Sequence, residues 1–372
     1  IKVSKNYAVG IIKEIIEKSP FRIESDCPVS DKCGGCTFRS MTYEKELQSK
    51  LDFVNGNMER IAKLPIRCEE IIGASDILRY RNKAQYPVCI QGNGFCAGFY
   101  AYKSHRIVPA ADCLLQPAEF KAGVEAFEKW ALAANVSSFD EKSGRGLLRH
   151  IYFRKAFATG EIMACAVING SSVPEPQMLV SFLQSALPGL KSVVLNINKN
   201  KTNVILGEKT KLLWGSEKIT DMLLGKKFII SPQSFYQVNH AQCEKLYSAA
   251  AELAGLSGSE TVLDMYCGAG TVGISLSDKC KSLCGIEIVP QAVENAIENA
   301  RLNNLSNAEF ICADAYEGAK ILTQKGVRPD VVILDPPRKG CQREIFDIIA
   351  GLGVKKIVYI SCNSATLARD LQ

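Results

Sequence analysis

Residues 261–273 read TVLDMYCGAGTVG. The apolar run Thr261–Met265 predicts a short strand, and Gly268, Gly270 and Gly273 follow where a helix should open. Glycines at such a turn let backbone approach a ligand at the carboxyl end of the strand, where open α/β sheets bind cofactors. Four more short apolar runs follow: Ser282–Ile288, Glu309–Ala313, Val331–Leu334 and Lys356–Ile360. Helical patterns separate them, notably Pro290–Asn303 and Arg343–Gly351, and a helix over 239–254 precedes them. Strands alternating with helices predict a parallel sheet, so residues 231–372 read as a doubly wound, Rossmann-like α/β domain.

Upstream the pattern differs. Stretches at Ala84–Ile90, Phe95–Tyr100, His105–Pro109, Leu147–Phe157, Glu161–Val167, Ser192–Asn198, Asn203–Leu206 and Lys227–Ile230 read as strands, with a helix from about Pro117 to Ala134. This predicts a mixed α+β central domain over 25–230. Helical spacing of Leu47, Leu51, Val54, Met58 and Ile61 predicts a helix over 43–63, ended by Pro65 and able to pack on the C-terminal domain. Residues 1–24 alternate at Val3, Tyr7, Val9 and Ile11, like the end of a β-rich unit.

The whole chain has 372 residues, a net charge of +6 and 23% charged residues, an ordinary globular composition that permits a nucleic-acid partner without requiring one. No apolar run approaches the ~20 residues that cross a bilayer. Ile1-Lys2-Val3-Ser4-Lys5 has no apolar leader character, so a cytoplasmic protein without a membrane partner is expected. Fifteen cysteines against three histidines fit a reducing compartment with metal-binding or catalytic thiols better than a disulfide framework.

Three of those cysteines, Cys27, Cys33 and Cys36, stand in CPVSDKCGGC, and Cys113 in ADCLLQP is the candidate fourth. Soft thiolates in that number select zinc or an iron–sulfur cluster, and spacing alone leaves the two open.

The rim of the α/β domain carries two further motifs. Asp335-Pro336-Pro337-Arg338 ends the fourth strand, and Ser361-Cys362-Asn363 ends the fifth. Glu287 ends the second, where a carboxylate can accept both hydroxyls of a ribose. The glycines also fit G-x-G-x-x-G, so a nicotinamide enzyme is a rival reading. A dehydrogenase has no need of a thiol and a D-P-P turn on this rim, whereas an S-adenosylmethionine (SAM) enzyme that alkylates an unreactive carbon does. Uracil C5 is such a carbon. A thiolate added at C6 makes C5 nucleophilic, dividing one hard step into easier ones, and Cys362 is the candidate thiolate.

With SPQSFYQVN (231–239), DMYCGAGTVG (264–273), DPPRKG (335–340), SCNSATLARD (361–370) and the cysteine loop in this order, the chain resembles the SAM-dependent uracil-C5 RNA methyltransferases, particularly the iron–sulfur branch acting on 23S ribosomal RNA. The resemblance implies a 4Fe–4S cluster on Cys27, Cys33, Cys36 and Cys113, and SAM contacts from Gln237, Tyr266, Gly268, Thr271, Glu287, Asp314 and Asp335. It implies Cys362 as nucleophile, Phe235 and Asp335 against the target base, and a 23S rRNA substrate, with tRNA as the alternative. A non-catalytic RNA-binding iron–sulfur protein is the rival from another class, and Cys362, Asp335 and the glycine loop argue against it. Residues 1–24 would be the remnant of an N-terminal TRAM-like β-barrel. Members also carry a proton-removing glutamate near their C-terminus. This chain shows no match to it before Gln372, and slow turnover is expected.

The segments 79–110 and 142–155 contain no acidic residue. Arg79, Arg81, Lys83, Lys103 and Arg106 lie in the first, and Lys142, Arg145, Arg149, Arg154 and Lys155 in the second. Interleaved Tyr80, Tyr86, Phe99, Tyr100, Tyr102, Tyr152 and Phe153 complete the pattern expected of looped or single-stranded RNA contacts, with Arg79, Arg81, Lys83 and Arg149 the principal candidates. The target uridine is expected flipped or unstacked. A monomer is expected.

Overall fold

The computed structural model describes residues 2–5, 7–10, 12–91 and 94–372. A two-stranded ribbon, β1 (Lys2–Val3) and β2 (Ala8–Val9), comes first. Ile11, part of the expected alternation, lies outside the described residues. The cysteine loop has no regular element. Helix α1 (Tyr43–Asn57) starts where Thr42 Oγ1 accepts the Lys45 N–H, and a π turn over Met58–Ala62 extends it.

The central sheet contains β3 (Lys83–Gln91), β4 (Gly94–Tyr100), β5 (Ile107–Pro109), β6 (Leu148–Lys155), β7 (Ile162–Ile168), β8 (Leu190–Ile197) and β9 (Lys209–Gly215). Their order is β5-β4-β3-β6-β7-β8-β9. Helix α2 (Glu119–Ala133) connects β5 to β6, and α3 (Pro176–Ala186) makes the crossover between β7 and β8, the one parallel strand pair of the sheet among the described residues. Side chains alternate along β7. Ile162, Ala164, Ala166 and Ile168 face α2 and α3, while Met163, Cys165 and Val167 join the core shared with the C-terminal half. Burial on both faces explains the unbroken apolar run.

Helix α3 lies within 146–230, where strands alone were expected. Its buried Leu179, Val180 and Leu183 follow helical spacing, and Pro176 supplies a preset first turn. Residues 203–206 correct the expectation in the opposite sense: they form no strand. Asn198 Nδ2 donates to the carbonyls of Val204 (2.7 Å) and Ile205 (2.9 Å), so a buried amide replaces a ladder there.

A hairpin of β10 (Ile219–Leu223) and β11 (Lys226–Ile230) leads to the C-terminal half. That half runs α4 (His240–Ala254), β12 (Thr261–Met265), α5 (Thr271–Leu276), β13 (Ser282–Glu287), α6 (Pro290–Leu302), β14 (Ala308–Cys312), α7 (Ala315–Gln324), β15 (Val331–Leu334), α8 (Arg343–Gly351), β16 (Lys356–Tyr359) and α9 (Ser364–Asp370). Five parallel strands in the order β14-β13-β12-β15-β16 confirm the doubly wound expectation. Strand order reverses between β12 and β15, the switch point at which such sheets open a crevice.

The hairpin lies upstream of the boundary expected at 231, yet it bonds to α6. Asn299 Oδ1 accepts the Ile229 N–H (2.9 Å), and Asn303 exchanges two bonds with Lys227. One continuous core joins Tyr152 and Cys165 of the central sheet to Phe228, Tyr247 and Val262. A smaller contact packs Met58 and Ala62 against Ala368 of α9, so the 43–63 segment does reach the C-terminal half. Among the described residues no helix is long and apolar enough to cross a membrane.

Candidate active site and cysteine-lined cavity

The glycine turn after β12 is built by backbone geometry. Gly268 and Gly270 have φ of +55° and +77°, and Tyr266, not a glycine, has φ of +70°. A non-glycine residue held there costs ~1–3 kcal/mol, which the surrounding structure must offset. A Cβ on Gly273 would sit 2.6 Å from Leu283 Cδ1, whereas one on Gly268 would meet open space. The turn thus packs tightly at its base and is open at its tip.

Carboxylates surround it. Buried Asp264 accepts the Gly273 N–H (2.8 Å), and burial pushes its carboxyl up to about 7. Glu287, at the end of β13, accepts the N–H of Gly268 (3.1 Å) and of Val289 (2.9 Å). Those bonds aim the carboxylate at the glycine turn and leave lone pairs for a ligand hydroxyl. Thr271 opens α5 with its hydroxyl 3.3 Å from that of Tyr247. Asp314 caps α7 by accepting the Glu317 N–H (2.9 Å), a structural duty beside any other.

On the adjacent strands, Ile360 N–H donates to Leu334 (2.7 Å), which brings Asp335 beside the start of the Ser361–Asn363 turn. Burial pushes the Asp335 carboxyl up to about 6. Cys362 is exposed, whereas Cys267, Cys284 and Cys341 are buried. Ser361 Oγ accepts the Asn363 N–H (3.2 Å), and Asn363 caps α9. Asp370 Oδ2 accepts the Cys341 N–H (2.8 Å) and the Tyr359 hydroxyl (2.6 Å), tying α9 to the loop after Asp335.

The 231–239 loop hangs from the central sheet. Buried Arg154 donates to the carbonyls of Ser231 (2.7 Å) and Ser234 (2.6 Å), and Tyr152 donates to Pro232 (3.0 Å). Asn82 donates to the carbonyls of Gln237 (2.8 Å) and Val238 (2.9 Å). Phe235 stands 69% exposed and Gln237 is half-buried. Sequence reasoning missed Asn82 as an anchor and took Arg154 for RNA surface. A charge inside a predicted strand was the available signal for burial.

Cys27, Cys33, Cys36 and Cys113 line one cavity of about 660 Å³ together with Arg39, Arg81 and Lys83. The loop is docked on the β4–β5 turn: Gly34 N–H donates to Tyr100 (2.9 Å), and a Cβ on Gly34 would strike Tyr102 Cα at 2.9 Å. Burial first, then the charge of Cys113, pushes the Cys36 thiol up. Among the described residues, no three His, Cys, Asp or Glu side chains are gathered tightly enough for a single metal ion.

The four basic residues expected to meet RNA have other surroundings. Arg149 is buried, donates to the carbonyls of Asn198 (3.0 Å) and Asn200 (2.9 Å), and stacks on Phe139. Arg79 pairs with Asp112 and holds the carbonyls of Cys113 and Gln116 (3.1 Å each). Arg81 and Lys83 line the cysteine cavity, and burial followed by Arg154 and Arg81 lowers Lys83 to about 8. The expectation of exposed phosphate contacts is corrected for Arg149, which is buried with its Nη1 committed to two long-range carbonyls. Tyr86, Tyr152 and Phe153 are core. Lys103, Arg106, Lys142, Arg145 and the 74% exposed Tyr102 remain on the surface of the same segments.

A parallel sheet in this order, with a glycine turn at its switch point, defines a Rossmann-like methyltransferase fold. Residues 189–372 match the family described as tRNA (Uracil-5-)-methyltransferase. An uncharacterized RNA methyltransferase of Halalkalibacterium halodurans is 43% identical over 100% of this chain and 81% of its own length. One of Clostridium tetani is 42% identical with the same coverage. The crystal structure of Pyrococcus abyssi tRNA (uracil-54, C5)-methyltransferase in complex with S-adenosyl-L-homocysteine superposes with a TM-score of 0.77 at 27% identity, covering 96% of this chain and 80% of that one. The chain belongs to the same RNA methyltransferase family as these relatives.

Proposed function

We propose that the protein transfers a methyl group from SAM to C5 of a uridine in 23S rRNA through a covalent bond between Cys362 and C6 of the base. The observation that carries this is the exposed thiol of Cys362, held on the turn beside Asp335 and on the same rim as the glycine turn. Bound SAM would supply an electrophilic methyl group. Cys362 would add to C6, C5 would take the methyl group with S-adenosylhomocysteine as the leaving group, and transfer of the C5 proton to a base would then expel the thiolate. Glu287 would accept the ribose hydroxyls, with Gln237, Tyr266, Gly268, Thr271 and Asp314 around the rest of the cofactor. Asp335 would stand between cofactor and base, and exposed Phe235 would pack on the base.

Cys27, Cys33, Cys36 and Cys113 would hold a 4Fe–4S cluster. They are free and share one cavity, whose wall also carries the basic side chains of Arg39, Arg81 and Lys83 and the acidic ones of Asp112, Glu125 and Glu128. The proposed transfer needs no electron, so the cluster's part is structural. Residues 1–24 would be the end of a TRAM-like barrel, 25–230 the cluster and RNA-binding domain, and 231–372 the methyltransferase domain. The protein would act in the cytoplasm as a monomer.

A tRNA target is the second reading, favoured by the similarity to the Pyrococcus abyssi enzyme. Labelled SAM offered with rRNA and with tRNA transcripts separates the two readings. Substrate RNA carrying 5-fluorouridine tests the covalent step, because fluorine at C5 cannot leave as a proton does. A methylated adduct resistant to denaturation, absent in Cys362→Ala, is expected. Equal adduct formation by Cys362→Ala would overturn the role of the thiol.

A further inference from the structure

Asp221 is a fully buried carboxylate with donors on both oxygens. Oδ1 accepts the N–H of Ala158 (2.9 Å) and of Met222 (3.0 Å). Oδ2 accepts the Phe157 N–H (3.2 Å) and the Tyr236 hydroxyl (3.3 Å), and His240 Nδ1 lies 3.3 Å away, off the line of a good hydrogen bond and an ion pair when the ring is protonated. These donors come from three places: the turn between β6 and β7, the β10–β11 hairpin, and the junction of the 231–239 loop with α4. A carboxylate without water is costly unless such a set of donors surrounds it, so the three segments are held together wherever it stays charged.

The two side-chain donors bracket the functional loop. Tyr236 is buried and turned toward Asp221, while its neighbour Phe235 is turned out to solvent. Tyr236 lies between exposed Phe235 and half-buried Gln237, so fixing it inward ties down the stretch that carries both. His240, at the first turn of α4, fixes the far end, with its ring against that of Phe157 at 6.2 Å.

We propose that Asp221 is the positioning residue of the loop that presents Phe235 and Gln237 to base and cofactor. It touches neither; it acts through Tyr236 and His240. The role of those two loop residues rests on the function proposed above, whereas the anchoring of the loop does not.

Asp221→Asn is the test variant. Its amide oxygen can serve Ala158 and Met222 as Oδ1 does, while its NH2 removes the acceptor that Tyr236, His240 and the Phe157 N–H use. Hydrogen exchange over 231–239 and S-adenosylhomocysteine binding are measured on the full chain beside thermal melting. Faster exchange across the loop, cooperative melting and binding weakened about tenfold or more are expected, in line with loss of a buried charged hydrogen bond. With saturating RNA, KM for SAM should rise by more than kcat falls. Tyr236→Phe should reproduce part of the effect and add nothing in the Asp221→Asn background.

Unchanged exchange over 231–239 in a folded Asp221→Asn overturns the anchor. So does a double variant that loses the product of the two single effects. If Asp221→Asn fails to fold, Tyr236→Phe and His240→Gln carry the same comparison, and unchanged exchange in both overturns the proposal. Absence of binding by the unaltered protein would instead refute the SAM site, and the exchange data would still decide the anchor.

Discussion

Asn363 Nδ2 donates to the carbonyl of Arg338 (3.3 Å), joining the turn that displays Cys362 to the loop that follows Asp335. Two strand ends, separated by helix α8, are thereby held as one rim. The same asparagine accepts the Ala365 N–H (3.1 Å) and starts α9. The thiol's placement therefore depends on a residue that need not touch substrate.

Cys362→Ala and Asn363→Ala should separate chemistry from placement. The first should abolish methyl transfer with an unchanged melting curve, because the thiol is exposed. The second should lower stability by ~1 kcal/mol through loss of the cap and slow single-turnover transfer, with the thiol still present. Urea melts and rapid-quench methylation measure the two effects. Full activity of Asn363→Ala would show that the bridge to Arg338 is dispensable.

Asp335 gives a pH prediction. Burial raises its folded value to about 6, from an ordinary carboxylate value of 3.8. A folded value above the unfolded one means that the folded state binds the proton more tightly. The associated stability is complete below the unfolded value and is lost as pH rises through about 6. Urea melts of the ligand-free protein should show Asp335→Asn gaining on the unaltered chain by ~1–3 kcal/mol between pH 4 and pH 8. A constant difference across that range would contradict a buried, titrating carboxyl.

The four cavity cysteines should behave as a set. Protein prepared without air should be brown and absorb in the visible blue, and Cys113→Ser should bleach it and lower the melting temperature. Colourless protein carrying stoichiometric zinc would assign the cavity to the other thiolate-bound group.

The surface and buried cations should part company. Lys103→Ala and Arg106→Ala should weaken RNA binding uniformly across sequences, each lowering the salt slope by about one. Arg149→Ala should instead destabilise the fold by ~2–4 kcal/mol, because it leaves the Asn198 and Asn200 carbonyls without their donor. The folded fraction should bind RNA as before. Filter binding across a salt series, with melting curves alongside, distinguishes them. A strong binding loss in folded Arg149→Ala would return that residue to the RNA surface.

The C-terminal sheet was legible because its signals are local. TVLDM followed by a glycine turn needs only adjacent residues to declare a strand, a sharp turn and a helix start. Proximity of Cys27, Cys33 and Cys36 was likewise readable from their spacing. Helix α3 escaped because it lies among strand-like apolar runs and only Leu179, Val180 and Leu183 are buried to mark its helical face. The failed strand at 203–206 depended on the side chain of Asn198, whose two acceptors are settled only when the chain has folded back.

Sequence by itself determined the alternation of strands and helices in the C-terminal half, the strand-end positions of Glu287, Asp335 and Cys362, and the composition of the cysteine loop. All of these follow from periodicity and from short-range backbone constraints. Only the tertiary structure decided which charges meet water. Arg149, Arg154 and Asp221 are each buried against carbonyls or amides drawn from distant segments, partners that the sequence does not name even where a charge inside a predicted strand hints at burial. A charge is tolerated inside a protein only where long-range partners replace its water, and the chain must close before those partners exist.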